Sequence, residues 1–345
     1  MTLDPDRRAA LLGAKLGALV RDHWGEADRT PVVFGAGAGL VEATPDGATG
    51  STAWVLADDQ PHRVLGPALA WARAQRATAL HVLVDDDAAG VVARRAPAFV
   101  EAPRVWRVRG RAVEPAAAAP YPEPDPGPTE VDDLVTLLEA SGVDVVVEHG
   151  EVVGEVLGLE IARVVVPDDA PPRLEVGVGR HDREAFAMIH GDLPTPDALM
   201  SVIDAVLAQR RPGASPHPLN RLAAERWLRA LLVERPGLVG ARSLRPVDPP
   251  VPRDNVKDAA PAPTLGESED GTTVVVVCSA GIDLDLVPGA ADARSWHAPE
   301  ARLVLVVPER DDHPVTRALA AALTVPAEIV TVAGDWRAAL ARPVA

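Results

Sequence analysis

Two rhythms of apolar and polar positions run along this chain. Residues 6–22, DRRAALLGAKLGALVRD, set Leu11, Leu12, Leu16, Leu19 and Val20 on one stripe, the spacing of an amphipathic helix. Beyond it the apolar runs shorten. TPVVFGAGAGLVEA reads as a strand and a glycine-rich loop, STAWVLAD as a strand, and Leu65 to Gln75 as a helix. LHVLVDDD then reads as a strand, AAGVVARRAPAF as a helix and PRVWRVRG as another strand. Strands alternating with short helices mark βαβ units.

The C-terminal end uses the same grammar, with a strand over 303–307, a helix over 315–323 and a strand over 328–332. Setting Leu80 on Leu303 also aligns Val84 with Val307, Arg94 with Arg317 and Pro103 with Pro326. This alignment fits an internal duplication, or the common βαβ solution met twice.

Between these ends, PAAAAPYPEPDPGP (residues 115–128) reads as a stiff extended connector. A second connector is expected from about Arg245 to Gly271, where proline, acid and glycine replace periodic apolar positions. The section between them opens with the helix VDDLVTLLEASG. Strands VDVVVEHG, EVVGEVLG, LEIARVVV and RLEVGV follow, then helices near 183–189, 196–210 and 219–234. The expected fold is α/β, with N-terminal and C-terminal βαβ-like regions sharing a sheet and a central α+β section. The expected regions are 1–114, 129–244 and 272–345, the last packing on the first.

Composition narrows the function classes. In 345 residues, 34 basic against 50 acidic side chains give a net charge of −16. That field repels a nucleic-acid backbone, and no basic block offsets it, so generic nucleic-acid binding is not expected. No apolar run reaches membrane-spanning length, so no membrane association is expected. Cys278 is the single cysteine, which rules out an intrachain disulfide and points to a reducing cytoplasm. Lys15 and Lys257 are the two lysines, so nuclease cores that pair acids with a lysine in an E-x-K arrangement find no match at Glu175-Val176-Gly177.

Candidate chemistry concentrates between Glu148 and Asp192. Glu148, Glu155, Glu160 and Glu175 interrupt apolar strands, and a buried acid needs a partner or a function. Strict alternation puts Glu160 on one face with Ala162, and Arg163 on the other. Glu160, Glu175 and Asp182 form a candidate set for a divalent metal ion, the one cofactor type these residues suggest in a chain that otherwise names none; His181 is a proton-transfer candidate and Arg180 an anion clamp. His190 and Asp192 add ligand types in no standard spacing. The competing reading is a sheet whose glutamates are solvated or paired with Arg163, Arg173 and Arg180.

Secondary candidates lie at two strand ends, Asp283 and Asp285 after TTVVVVC, and Asp312 and His313 in PERDDHP. Asp311 or Asp312 capping the next helix is the simpler expectation there. Cys278 after four valines reads as a buried apolar residue. GAGAGL (residues 35–40) lacks the last glycine of a dinucleotide loop and reads as a hairpin turn or a close-packed loop, so no cofactor-binding loop is expected. In NRLAAERWLRALLVERP, the Trp227 stripe fits burial or a protein interface, and Arg221, Arg226 and Arg229 fit an acidic partner. Two function classes remain. One is a non-catalytic regulatory or assembly protein with a protein partner or self-association; the other is a metal-assisted hydrolase of a phosphorylated or other anionic substrate.

Overall fold

The computed structural model describes residues 4–43, 50–179, 183, 195–211, 213–215, 217–253 and 260–340. They form a mixed α/β fold with three sheets and, among the described residues, nine α-helices. The residues group into two compact bodies. The first comprises 1–121, 284–292 and 313–327, and the second 122–283, 293–312 and 328–345.

The first body opens with α1 (Pro5–Trp24), which starts where Asp4 accepts the N–H groups of Asp6 and Arg7 and proline takes the first helical position. Its sheet runs in the order β1 (Thr30–Phe34), β2 (Gly37–Ala43), β3 (Ser51–Ala57), β4 (Ala79–Asp85), β5 (Arg104–Arg109) and β6 (Ala112–Pro115). The first three strands are an antiparallel meander. β3, β4 and β5 are parallel, connected through α2 (Leu65–Ala74) and α3 (Ala89–Arg95), and β6 returns antiparallel. α1 buries Leu16, Leu19 and Val20 against Leu40, Trp54 and Leu83. Of the two readings of residues 35–40, the hairpin holds, with Phe34 opposite Gly37 across a two-residue turn. A side chain at Gly37 would run into the Leu56 carbonyl, so the turn depends on the missing Cβ.

The second body holds two sheets. After α4 (Asp132–Ala140), the antiparallel strands β7 (Asp144–Glu148), β8 (Glu151–Val156), β9 (Leu159–Val165) and β10 (Arg173–Val176) follow one another in sequence order. α5 (Thr195–Arg210) and α6 (Ala224–Val233) come next. The last sheet is ordered β11 (Ala241–Pro246), β12 (Ala262–Ser268), β13 (Thr273–Cys278), β14 (Arg302–Pro308) and β15 (Glu328–Val332). Its first three strands are antiparallel and its last three parallel. α7 (Leu286–His297) and α8 (Pro314–Ala321) lie between its parallel strands in sequence, and α9 (Trp336–Ala339) ends the described chain.

Two expectations are corrected here. The N-terminal and C-terminal strands do not share a sheet; they hydrogen-bond in separate six- and five-stranded ladders. The C-terminal strands find their neighbours in β11 and β12, which complete a sheet of their own. The segment from Arg245 to Gly271 is therefore not simply a connector, because β12 runs through it. Pro263 and Gly266 disguise that strand. The neighbouring Ser243 carbonyl occupies the space a Cβ on Gly266 would need, and buried Thr264 satisfies its hydroxyl by donating to the Val276 carbonyl at 3.0 Å.

Candidate functional site

The acids of β7 to β9 meet a matching set of arginines. Residues directly opposite in an antiparallel pair share a face, so the ladder sets Asp144 with Glu155, Val146 with Val153, and Glu148 with Glu151. Between β8 and β9 the register shifts. Gly154 faces Ala162 but Glu155 faces Glu160, leaving Ile161 without an opposite residue. This bulge reverses the expected alternation and turns Glu160 to the side of Arg163, three residues away. Arg163 then chelates it, Nε to Oε1 at 2.9 Å and Nη2 to Oε2 at 3.0 Å, and also donates to Glu151 at 2.5 Å.

The remaining arginines come from other elements. Arg183 donates to Glu160 at 2.6 Å. From α6, Arg226 bonds both Glu148 and Glu155, and Arg229 donates to Glu155 at 3.0 Å. Spaced three apart, Arg226 and Arg229 leave one side of the helix together. The other side carries Trp227, Leu228, Leu231 and Leu232 into the core of the β11–β15 sheet. α6 is thus buried on both sides, and Trp227, 2% exposed, is a core residue and no docking surface. The acidic partner of Arg226 and Arg229 is the chain's own β-sheet.

A tight turn brings sheet and helix together. Leu157 and Gly158 both have positive φ (49° and 73°) between the paired residues Val156 and Leu159, the form of a two-residue type I′ hairpin. A Cβ on Gly158 would lie 2.2 Å from the Arg226 carbonyl carbon, so only glycine allows this approach. Arg210, buried at the end of α5, donates to the carbonyls of Leu157 (2.6 Å), Leu219 (3.0 Å) and Leu222, and its guanidinium lies over Trp227. Burial and the nearby Arg337 lower it to about 10.

Electrostatics inside this layer favour charged pairs. Burial alone would raise the Glu155 carboxyl, but Arg229 and Arg226 hold it below its ordinary value. Burial alone would lower Arg226, yet Glu148 and Glu155 hold it above the usual range. Arg253 beside them is lowered to about 10 by burial, with a further push from Arg226. Among the described residues no group of three or more His, Cys, Asp or Glu is placed to hold a metal ion.

Of the candidate metal set, Glu160 belongs to this layer. Glu175 lies opposite Arg163, so the bulge gives it the same face as Glu160, but its carboxylate takes Arg173 at 2.7 Å. Arg180, His181, Asp182, His190 and Asp192 lie outside the described residues.

The secondary candidates separate. Asp285, in the first body, is buried and accepts from Arg95 at 3.1 and 3.2 Å, while Asp292 holds both Arg94 and Arg95 at 2.9 Å. Asp283 is half-buried in the second body. Asp312 is also half-buried, and it is Asp311 that accepts the Gly281 N–H at 2.8 Å. The cap of α8 is His313, whose Nδ1 accepts the Val315 N–H at 3.2 Å, in place of the aspartate expected there. Cys278 is buried in the core, and burial pushes its thiol up to about 12, far from an active nucleophile.

One buried histidine escaped sequence reasoning. His81 on β4 is 3% exposed; it stacks with Trp54 and Trp106, meets Trp24 edge-on, and accepts the Trp106 indole N–H on Nδ1 at 3.0 Å. Burial, with Arg104 nearby, lowers it to about 4, so the ring is neutral at pH 7. The aromatic residues on neighbouring strands were the available signal.

No protein-family model, curated protein or solved structure matches this chain.

Proposed function

We propose that this protein is a non-catalytic regulatory or assembly protein whose central polar layer organises the fold. The observation that carries this reading is the pairing of the strand acids: Glu148, Glu155 and Glu160 each engage two arginines, from Arg163, Arg183, Arg226 and Arg229. A metal-assisted hydrolase would instead need Glu160 and Glu175 to turn lone pairs to a cation, and both accept guanidinium hydrogen bonds. Acids and arginines in this ratio leave a layer close to neutral, suited to fixing the geometry of strands and helix.

The test is native mass spectrometry of the full chain after exposure to Mg²⁺, Mn²⁺ and Zn²⁺, with Glu160→Ala and Glu175→Ala beside it. The expected result is no stoichiometric metal in any form and a loss of thermal stability in the Glu160 variant. Stoichiometric metal in the parent, lost in a Glu160 or Glu175 variant of unchanged folding, would replace this reading with the hydrolase.

A further inference from the structure

The two terminal sheets repeat one plan. Each follows a helix with a three-strand antiparallel meander whose third strand starts a parallel run of three, in spatial order identical to sequence order. The parallel ladders also agree in register. In the first sheet Trp54 lies opposite His81 and His81 opposite Arg104. In the last, Val276 lies opposite Val304 and Val304 opposite Glu328. Moving from 54 to 276, 81 to 304 and 104 to 328 gives offsets of 222, 223 and 224 residues. Each helical connection has changed length by a single residue. The core under the first helix of each plan corresponds too, with Trp54, Leu83 and Val108 standing for Val276, Val306 and Val332.

A contact within the first body carries the argument beyond similar architecture. Phe99 and Leu323 form an antiparallel bridge, flanked by the Val100 N–H donating to the Ala322 carbonyl (3.0 Å) and the Thr324 N–H donating to the Ala98 carbonyl (2.8 Å). Carrying the offset of 224 back from β5 and β15, in place of the 223 that aligns Arg94 with Arg317 and Pro103 with Pro326, makes Phe99 the counterpart of Leu323, Val100 of Thr324 and Ala98 of Ala322. Each bond is therefore the other with the two copies exchanged. Any antiparallel bridge has a local twofold, but nothing in backbone geometry requires that twofold to fall on equivalent residues of two separate segments. Isologous association does require it, because residue i of one copy meets j of the other and j meets i.

We infer that residues 5–109 and 224–332 are two copies of one α/β module, and that Ala98–Val100 with Ala322–Thr324 is that module's self-recognising surface, its partner being the second copy in the same chain. Residues 110–223, with β6 and the β7–β10 sheet, then lie between the copies. This inference is independent of the proposed function. It also isolates what is special to the first copy. Trp54, His81 and Trp106 occupy positions filled in the second by Val276, Val304 and Val330, so the fold itself does not demand the buried histidine.

Two pairs of cysteines in the full chain test the contact while leaving Phe99 and Leu323 in place. V100C/A322C and A98C/T324C are related by exchange of the copies, and directly opposed positions lie about 5.5 Å apart between Cα atoms, inside disulfide range. Both pairs are expected to close at matching rates in the folded, monomeric chain, and buried Cys278 leaves the new thiols free of competition. Closure of one pair and not its counterpart would overturn the reciprocal contact. A crystal structure of the full chain tests the repeat. Residues 52–56, 79–85 and 104–108 should superpose on 274–278, 302–308 and 328–332 at these registers, and within the first body a rotation near 180° should carry 89–100 onto 313–324. A best fit at another register, or a rotation far from 180°, would refute the duplication.

Discussion

Glu155 and His81 show how single residues in this chain respond to acid by opposite routes. His81 is held below its ordinary value of 6.5, at about 4, so the unfolded chain binds its proton first. The stability it contributes is complete above 6.5 and is lost as pH falls towards 4. Glu155 is held below its ordinary 4.5 by Arg229 and Arg226, after burial has worked against them. Its contribution is present above 4.5 and disappears only as pH drops through the lower folded value. Thermal unfolding between pH 7 and pH 4 should therefore lose stability in the parent and less in His81→Phe, while Glu155→Gln should remove the step below pH 4.5. Equal slopes in parent and His81→Phe would contradict the assignment. Cys278 gives a simpler expectation: with its thiol raised to about 12 in the core, it should resist alkylation at pH 8 in the native chain and react once denatured. The sequence supported the apolar reading of Cys278, because four valines precede it. The reading of the strand glutamates as partners of Arg163 and Arg173 also holds, for Glu160 with Arg163 and Glu175 with Arg173; the sequence did not reveal how Arg163 reaches Glu160, since strict alternation puts residues three apart on opposite faces and only the bulge reunites them.

At the scale of elements, strongly periodic segments were legible and irregular ones were not. α1, the helices at 65–74 and 195–210, and strands β7 to β10 follow their apolar patterns closely. β12 was missed because its place in the sheet rests on a close backbone approach at Gly266 and a buried threonine, and neither produces an apolar alternation. The β8–β9 hairpin makes a specific demand of the same kind. Gly158→Ala meets both a left-handed backbone and the α6 main chain, with the added Cβ 2.2 Å from the nearest atom. It should cost about 2 kcal/mol or more in denaturant unfolding, since strained backbone alone costs about 1–3 kcal/mol. A loss below about 0.5 kcal/mol, the range of ordinary surface substitutions, would mean that turn and helix are not in contact.

For the whole molecule, the sequence conveyed an α/β chain with two similar ends, and the similarity proved to extend to strand order and register. It did not convey that the ends build separate sheets, because β11 runs up to, and β12 lies within, a stretch where proline, acid and glycine interrupt the apolar pattern. The central acids looked like a catalytic cluster for a physical reason: carboxylates on apolar strands are costly unless occupied, and sequence does not say by what. Here arginines from a helix and from the sheet itself occupy them, joining α6 to the β7–β10 sheet. A double-mutant cycle on the unfolding free energy of the full chain, using Glu155→Gln, Arg229→Met and the pair together, measures that claim most directly. Each single variant should lose about 3 kcal/mol, since breaking a buried ion pair from one side leaves a charge uncompensated. The double variant should lose much less than the sum, with a coupling of about 2 kcal/mol. Additive losses, or a Glu155→Gln chain as stable as the parent, would contradict the account.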